Sequence, residues 1–125
     1  MIPKFRCFID GIGIVGVKAI YFDSVQIILE PFNGVENQYI ALEEVELLQS
    51  TGLKDVNGTE IFEGDVVKHN PVPNPFFENT NFEIVQARTG EWRIDSIRGG
   101  AVLAFHNHQI KVIGSKFQHP HLLEE

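Results

Sequence analysis

Histidine residues have the spacing that comes closest to a chemical site in this chain. His106 and His108 lie two positions apart, which on a strand would place both side chains on one face, and His119 and His121 repeat that spacing. Together with His69, such pairs offer the imidazole ligands that Zn²⁺ accepts in a tetrahedral site. The sequence contains no cysteine pair and no His-Glu-x-x-His motif. His106 and His108 are therefore weak metal candidates, and no cofactor is predicted.

Carboxylates offer a second kind of chemistry. Glu60, Glu63 and Asp65 surround two turns, and like charges held close together can serve acid–base catalysis. On an exposed turn, however, water screens such charges, and Asp65 is expected to accept hydrogen bonds from the backbone of its own turn. A Gly-x-Ser-x-Gly nucleophile elbow is also absent from the sequence. We expect no catalytic residues, and a metal-dependent hydrolase built on the histidines is the alternative.

The glycine-rich stretch at 11–16 matches the spacing of a dinucleotide-binding loop. The residues around it are β-formers, and three glycines within six positions disfavour the helix that such a loop must open. The pattern therefore indicates a turn and a strand rather than a cofactor site.

Short apolar stretches alternate with polar turns along the chain and would position these side chains. The pattern predicts strands at 2–8, 14–22, 25–30, 45–50, 82–88, 91–95, 101–105 and 110–113, with a single helical turn near 41–44. Asn57-Gly58 and Gly64 predict tight turns on either side of a short bridging strand. Such spacing is typical of a small antiparallel barrel or sandwich.

A proline-rich loop at 70–81 carries two adjacent aromatic residues, Phe76 and Phe77. They either anchor the loop in the core or form an exposed patch that binds a partner. Trp92, on a predicted strand, is a further candidate for partner binding.

Composition restricts the function classes. The chain has 125 residues, 43% of them hydrophobic, one cysteine (Cys7) and a net charge of −7. All the excess negative charge lies in residues 1–65, which hold 4 basic and 11 acidic side chains. Because binding to phosphates depends on Lys and Arg, nucleic acid is a disfavoured partner. We expect Cys7 to be a small apolar strand residue, and with no signal peptide or membrane-spanning stretch we expect a cytoplasmic protein and no membrane partner.

The central segment reads Thr51-Gly52-Leu53-Lys54-Asp55, then Asn57-Gly58 and Glu60-Ile61-Phe62-Glu63-Gly64-Asp65-Val66-Val67. It resembles the signature of the YopX family, small proteins typical of phages and prophages. The resemblance is weaker at 4–6 and around 112–123, and the chain departs from the pattern at Val56, Thr59 and Phe62. It implies an SH3-type β-barrel, here residues 51–125 with additional N-terminal strands in 1–50, and a family without an established activity. The matching positions, expected to be structural, are Thr51, Gly52, Leu53, Asp55, Asn57, Gly58, Ile61, Phe62, Glu63, Gly64 and Asp65.

These observations predict a non-enzymatic, phage- or prophage-derived module in the cytoplasm of a bacterial host. Its expected partner is an unknown protein or a second copy of itself. A weak nucleic-acid-binding module is a further alternative, which the negative net charge disfavours.

Overall fold

The protein is mainly β in its computed structural model, which describes residues 4–70 and 80–123. Within these ranges there is no α-helix, and no helix is long and apolar enough to cross a membrane. The described strands are β1 (Phe5–Ile9), β2 (Gly13–Tyr21), β3 (Gln26–Leu29), β4 (Tyr39–Ala41), β5 (Glu46–Lys54), β6 (Glu60–Phe62), β7 (Asp65–His69), β8 (Phe82–Gln86), β9 (Trp92–Ser96), β10 (Gly99–Val102) and β11 (Ile110–Ser115). Short 3-10 helices occupy Leu42–Glu44, Leu103–Phe105, Asn107–Gln109 and Pro120–Leu123.

The strands form two antiparallel sheets, one containing β1 to β6 and the other β7 to β11. Contacts divide the chain into unit 1, residues 1–49, and unit 2, residues 50–125. Strand β5 belongs to both units, because its first half pairs with β1 and its second half with β6.

Unit 1 is built on the strand order β4-β3-β2-β1-β5. Cys7 pairs with Val15 on one side and with Leu47 on the other, and its side chain is fully buried. Side chains alternate between the two faces of a strand, so Ile9 lies on the same face as Cys7 and joins the same core. The predicted role of Cys7 as a small apolar strand residue is confirmed. Burial raises the pKa of its thiol to about 11, which keeps it protonated and unreactive.

Unit 2 contains the pair formed by β6 and the second half of β5, and a five-stranded sheet in the order β10-β9-β8-β7-β11. One face of its strands supplies a single apolar core, because inward-facing residues alternate with polar ones. The buried members of this core are Ile61, Val67, Phe82, Ile84, Ile94, Leu103 and Ile110.

Of three structural predictions, one strand is wrong in part, the closed barrel is not confirmed and one helical turn is confirmed. The predicted strand at 101–105 is wrong in its second half, because β10 ends at Val102 and a 3-10 turn directs Leu103 into the core. A closed barrel of the SH3 type is not confirmed, since the described sheet of unit 2 ends at β10 and β11 without pairing between them. The predicted helical turn near 41–44 is confirmed by Leu42–Glu44.

Candidate functional site

The carboxylate of Asp55 organises the Asn57-Gly58 turn. Its Oδ1 accepts hydrogen bonds from the backbone N–H groups of Asn57 and Thr59, both at 2.9 Å, and its Oδ2 accepts one from Val112 at 2.8 Å. Gly58 takes a φ of 81°, as a tight turn at this position requires. A buried carboxylate that accepts three N–H groups is fully occupied, so Asp55 fastens the turn to β11.

Hydroxyl groups hold the segment that precedes the turn. Thr51 Oγ1 donates to the carbonyl of Ile61 at 2.8 Å and accepts from the N–H of Leu53 at 3.2 Å. Ser50 Oγ donates to the carboxylate of Glu60 across the same pair of strands. The hydroxyl of Thr51, a residue of the family signature, therefore has a structural role. The carboxylate of Glu60 is likewise held by the Ser50 hydroxyl.

The second turn of the signature depends on Gly64 and Asp65. Asp65 accepts a hydrogen bond from the backbone N–H of Phe62 at 2.8 Å, which confirms the expectation that it binds its own turn. Gly64 has a φ of 82°, and a Cβ at this position would lie 2.7 Å from the ring of Phe117. The glycine is needed for both the backbone conformation and the close approach of the C-terminal segment.

The histidines do not gather into a site. His108 lies in the 3-10 helix Asn107–Gln109 and His106 directly precedes it, so neither is on a strand and the condition for a shared strand face is not met. Ring centroids are 6.2 Å apart for His69 and His106, and also for His119 and His121. Among residues 4–70 and 80–123, no three His, Cys, Asp or Glu side chains are placed to hold a metal ion. Desolvation of the buried His69, together with the charge of His106, lowers the pKa of His69.

Unit 1 exposes a group of large apolar side chains, which we call the aromatic face. Tyr21 pairs with Gln26 and Tyr39 with Ile28, so both tyrosines lie on the same side of the sheet. Phe22 and Val25 lie in the turn that joins β2 to β3, directly after Tyr21. The members and their exposed fractions are Tyr21 (48%), Phe22 (76%), Val25 (51%) and Tyr39 (56%).

The residues predicted to bind a partner belong to unit 2, and the structure describes one of them, Trp92. Trp92 is partly buried and packs against the core, while Phe76 and Phe77 lie outside the described residues. Among the described residues of unit 2, the most exposed large apolar side chains are Ile97 (83%) and Phe105 (73%), which lie beyond the two ends of β10. A shallow pocket of about 270 Å³ adjoins Ile97. Its two acids are paired, Glu83 with Lys116 at 2.7 Å and Asp95 with Arg93 at 3.3 Å.

The aromatic face was not predicted, because the apolar pattern places Phe22 and Val25 at the ends of two predicted strands. A signal was nevertheless present: only Asp23-Ser24 separates the two stretches, and a turn that short leaves its flanking residues on the surface. Exposure of Tyr21 and Tyr39 depends on how the sheet pairs, which the sequence does not show.

Comparison with known proteins places the chain in a family. The family model described as "YopX protein" matches residues 16–124. A solved structure, the crystal structure of protein EF1440 from Enterococcus faecalis, is similar over 99% of both chains with 26% identity and a TM-score of 0.70. No curated protein matches the chain. Because the family model covers most of its residues, the chain belongs to the YopX family.

Proposed function

We propose that this YopX-family chain is a non-enzymatic interaction module that binds other protein chains through the aromatic face of unit 1. The observation that carries the proposal is the exposure of Tyr21, Phe22, Val25 and Tyr39, which lie on β2 and β4, the two strands that flank β3, and in the β2–β3 turn of the same sheet. Tyr and Phe are enriched at protein–protein interfaces because they bury much area with few rotamers.

Backbone strain at Val25 supports this assignment. Its φ is 55°, a left-handed conformation that is a true outlier for a β-branched residue. The hydrogen bond from the N–H of Leu42 to the carbonyl of Val25 helps to hold it there. Such strain costs about 1–2 kcal/mol, and strained residues of this kind cluster at functional sites. The fold thus gives up stability to present an apolar side chain where Asn or Gly would fit more easily.

Charge narrows the class of partner. Residues 1–49 hold 3 basic and 7 acidic side chains, a net charge of −4. The net negative charge of this unit opposes the approach of phosphate backbones and favours a basic protein partner, whose apolar groups can contact the aromatic face. A protein partner is therefore favoured over nucleic acid.

The experiment removes the aromatic face and leaves the rest of the chain unchanged. Tagged wild-type protein captures binding proteins from host lysate, and mass spectrometry identifies them. The double variant Phe22→Ser/Tyr39→Ser should lose these proteins, whereas Val56→Ser, which changes an exposed apolar residue of unit 2, should retain them. Equal capture by the double variant and the wild type, or no protein captured by either, would contradict the proposal.

A second variant separates binding from stability. Val25→Asn places a residue that tolerates positive φ at the strained position, so the free energy of unfolding should rise by about 1 kcal/mol. Binding to the partner identified by capture should weaken at the same time, because the apolar contact is removed. Tighter or unchanged binding by Val25→Asn would show that the strain does not serve this surface.

The phage or prophage origin and the bacterial cytoplasm belong to the same proposal. They are supported by the resemblance of the signature at 51–67 to proteins typical of phages. The genes on either side of the coding sequence test this origin: recombination, replication or packaging genes would agree with it, and a block of host metabolic genes would not.

A further inference from the structure

The direction of the backbone groups in β9 determines which groups of β10 are directed outward. The N–H of Ala87 donates to the carbonyl of Glu91 at 2.8 Å in the β8–β9 hairpin. Hydrogen-bonded pairs alternate along an antiparallel ladder, so the register places the backbone groups of Asp95 toward β8. Those of Ile94 and Ser96 are consequently directed toward β10.

Strand β10 therefore has an inner and an outer set of backbone groups. Gly99 pairs with Ser96 and Ala101 with Ile94, so these two residues of β10 bond to β9. Gly100 and Val102 direct their N–H and C=O groups to the other side. In the described part of the chain β10 pairs only with β9, which leaves this side as a sheet edge.

Apart from its short length, strand β10 lacks the features that commonly prevent pairing with another chain. Its four residues, Gly-Gly-Ala-Val, include no charge, no proline and no bulge. At its two ends stand Ile97 and Phe105, which are 83% and 73% exposed. An uncharged edge with apolar side chains at both ends is suited to receive a strand.

We propose that this edge receives the β10 strand of a second copy of the chain, in an antiparallel pairing around a two-fold axis at Ala101. Gly100 of each copy then faces the partner's Val102, and the two pairs form four N–H···O hydrogen bonds. The same register brings Ile97 to the end of the strand where the partner's Phe105 lies. This self-association uses a surface of unit 2 and goes beyond the proposed function, which uses the aromatic face of unit 1.

Self-complementarity is the reason for choosing a second copy over another partner. Residues 99–102 carry no charge, so their antiparallel pairing places no like charges opposite each other. The net charge of −7 on each copy opposes association at long range. Added salt should therefore strengthen the dimer, because it screens this repulsion.

Proline at position 102 is a specific probe of the edge. Val102 has a φ of −72°, which proline adopts without strain, and its N–H does not bond to β9. Val102→Pro should fold and yet remove one inter-chain donor from each copy, which weakens association at least about tenfold. Val102→Thr keeps the N–H and nearly the same shape, so its association should stay within about twofold of wild type.

Sedimentation velocity over a concentration series up to about 0.5 mM measures the association, and urea unfolding checks that each variant is folded. If Val102→Pro does not fold, the double variant Ile97→Ser/Phe105→Ser replaces it, since both residues are exposed and the fold does not depend on them. Weaker association of that variant supports the pairing.

A wild-type monomer over the whole series, or a Val102→Pro protein that associates as tightly as wild type, would overturn the inference. Either result leaves the aromatic face untouched, because capture through Phe22 and Tyr39 does not involve β10. If Phe22→Ser/Tyr39→Ser loses the captured proteins but dimerises as wild type does, the aromatic face binds those proteins and does not contribute to the dimer. The two proposals therefore fail independently.

Discussion

The two edges of the five-stranded sheet in unit 2 are built in opposite ways. At β11, the outward N–H of Val112 donates to Asp55, and the outward carbonyl of Ile110 accepts from the N–H of Val56 at 2.9 Å. At β10, the equivalent outward groups belong to Gly100 and Val102, and β9 is the one described strand that pairs with β10. One edge is closed by the signature turn, whereas among residues 4–70 and 80–123 no second strand pairs with the other.

This difference gives the family signature a physical meaning. A sheet edge is a template for pairing with another chain, and folded proteins normally cover or blunt it. The Asp55 turn covers β11 by satisfying its backbone groups, so the signature stabilises the fold and prevents pairing at that edge. The proposed self-association accordingly uses β10.

The largest expected effect comes from removing the cover of β11. Asp55→Ala leaves the N–H groups of Asn57, Thr59 and Val112 without their acceptor, which should lower the free energy of unfolding by about 3 kcal/mol. Urea unfolding measures the change. Asp95→Ala is the matched control, because its carboxylate is 41% exposed and pairs with Arg93 at the surface at 3.3 Å, so its loss should stay within about 0.5 kcal/mol. Equal losses in the two variants would contradict the role assigned to Asp55.

Proline substitutions along β10 sharpen the assignment of its inner and outer groups. Ala101→Pro removes an N–H that bonds to β9 and leaves a carbonyl of Ile94 unpaired, so stability should fall by about 2 kcal/mol. Val102→Pro, one residue further along, should change it by less than about 0.5 kcal/mol. Urea unfolding of the two variants side by side tests the prediction. A reversed order of stability would mean that the open edge has been assigned to the wrong residues.

The local part of this architecture could be predicted from the sequence. Asn57-Gly58 and Gly64 are turn residues because they accept positive φ, and the structure has values of 81° and 82° at the two glycines. The apolar alternation around Cys7 identified its strand, and the hydrogen bond from Phe62 to Asp65 was expected from the turn itself.

The part that could not be predicted depends on long-range pairing. Asp55 meets Val112 across 57 positions, and no periodicity in the sequence connects them. The apolar run at 101–105 indicated a strand, but burial of Leu103 in the core overrode that local preference. The two-residue spacing of His106 and His108 would place them on one face of a strand, but both lie in turns, where that spacing does not align their side chains.

Glycine substitutions test how the far end of β11 is held. Gly64 accepts a hydrogen bond from the N–H of Lys116, just after β11, and a Cβ there would strike Phe117. At Gly58 the φ is similar, but the space around it is open. Both Gly→Ala variants should lose about 1 kcal/mol to backbone strain, and Gly64→Ala about 1 kcal/mol more from the clash. Equal midpoints of urea unfolding for the two variants would show that the contact with Phe117 is not needed.

The smallest expected effect is a pH dependence of the free energy of unfolding that arises from His69 on β7, the strand next to β11. His69 pairs with Ile110 of β11, its ring lies edge-on to Phe82 at 5.1 Å, and burial together with the charge of His106 lowers its pKa from the ordinary value of 6.5. The unfolded chain therefore binds a proton at His69 more readily than the folded chain. Its contribution to stability is present above pH 6.5 and is lost as the pH falls through the lowered folded pKa.

Urea unfolding at several pH values between about 5.5 and 7.5 measures this dependence, since most carboxylates stay ionised in that range. His69→Asn should flatten the change in the free energy of unfolding across the range, whereas His108→Asn, at an exposed position, should leave it as in wild type. The slope is the informative quantity, because His69→Asn also alters packing at every pH. If the slope persists in His69→Asn, a group other than His69 titrates in this range, and the assignment to His69 is wrong.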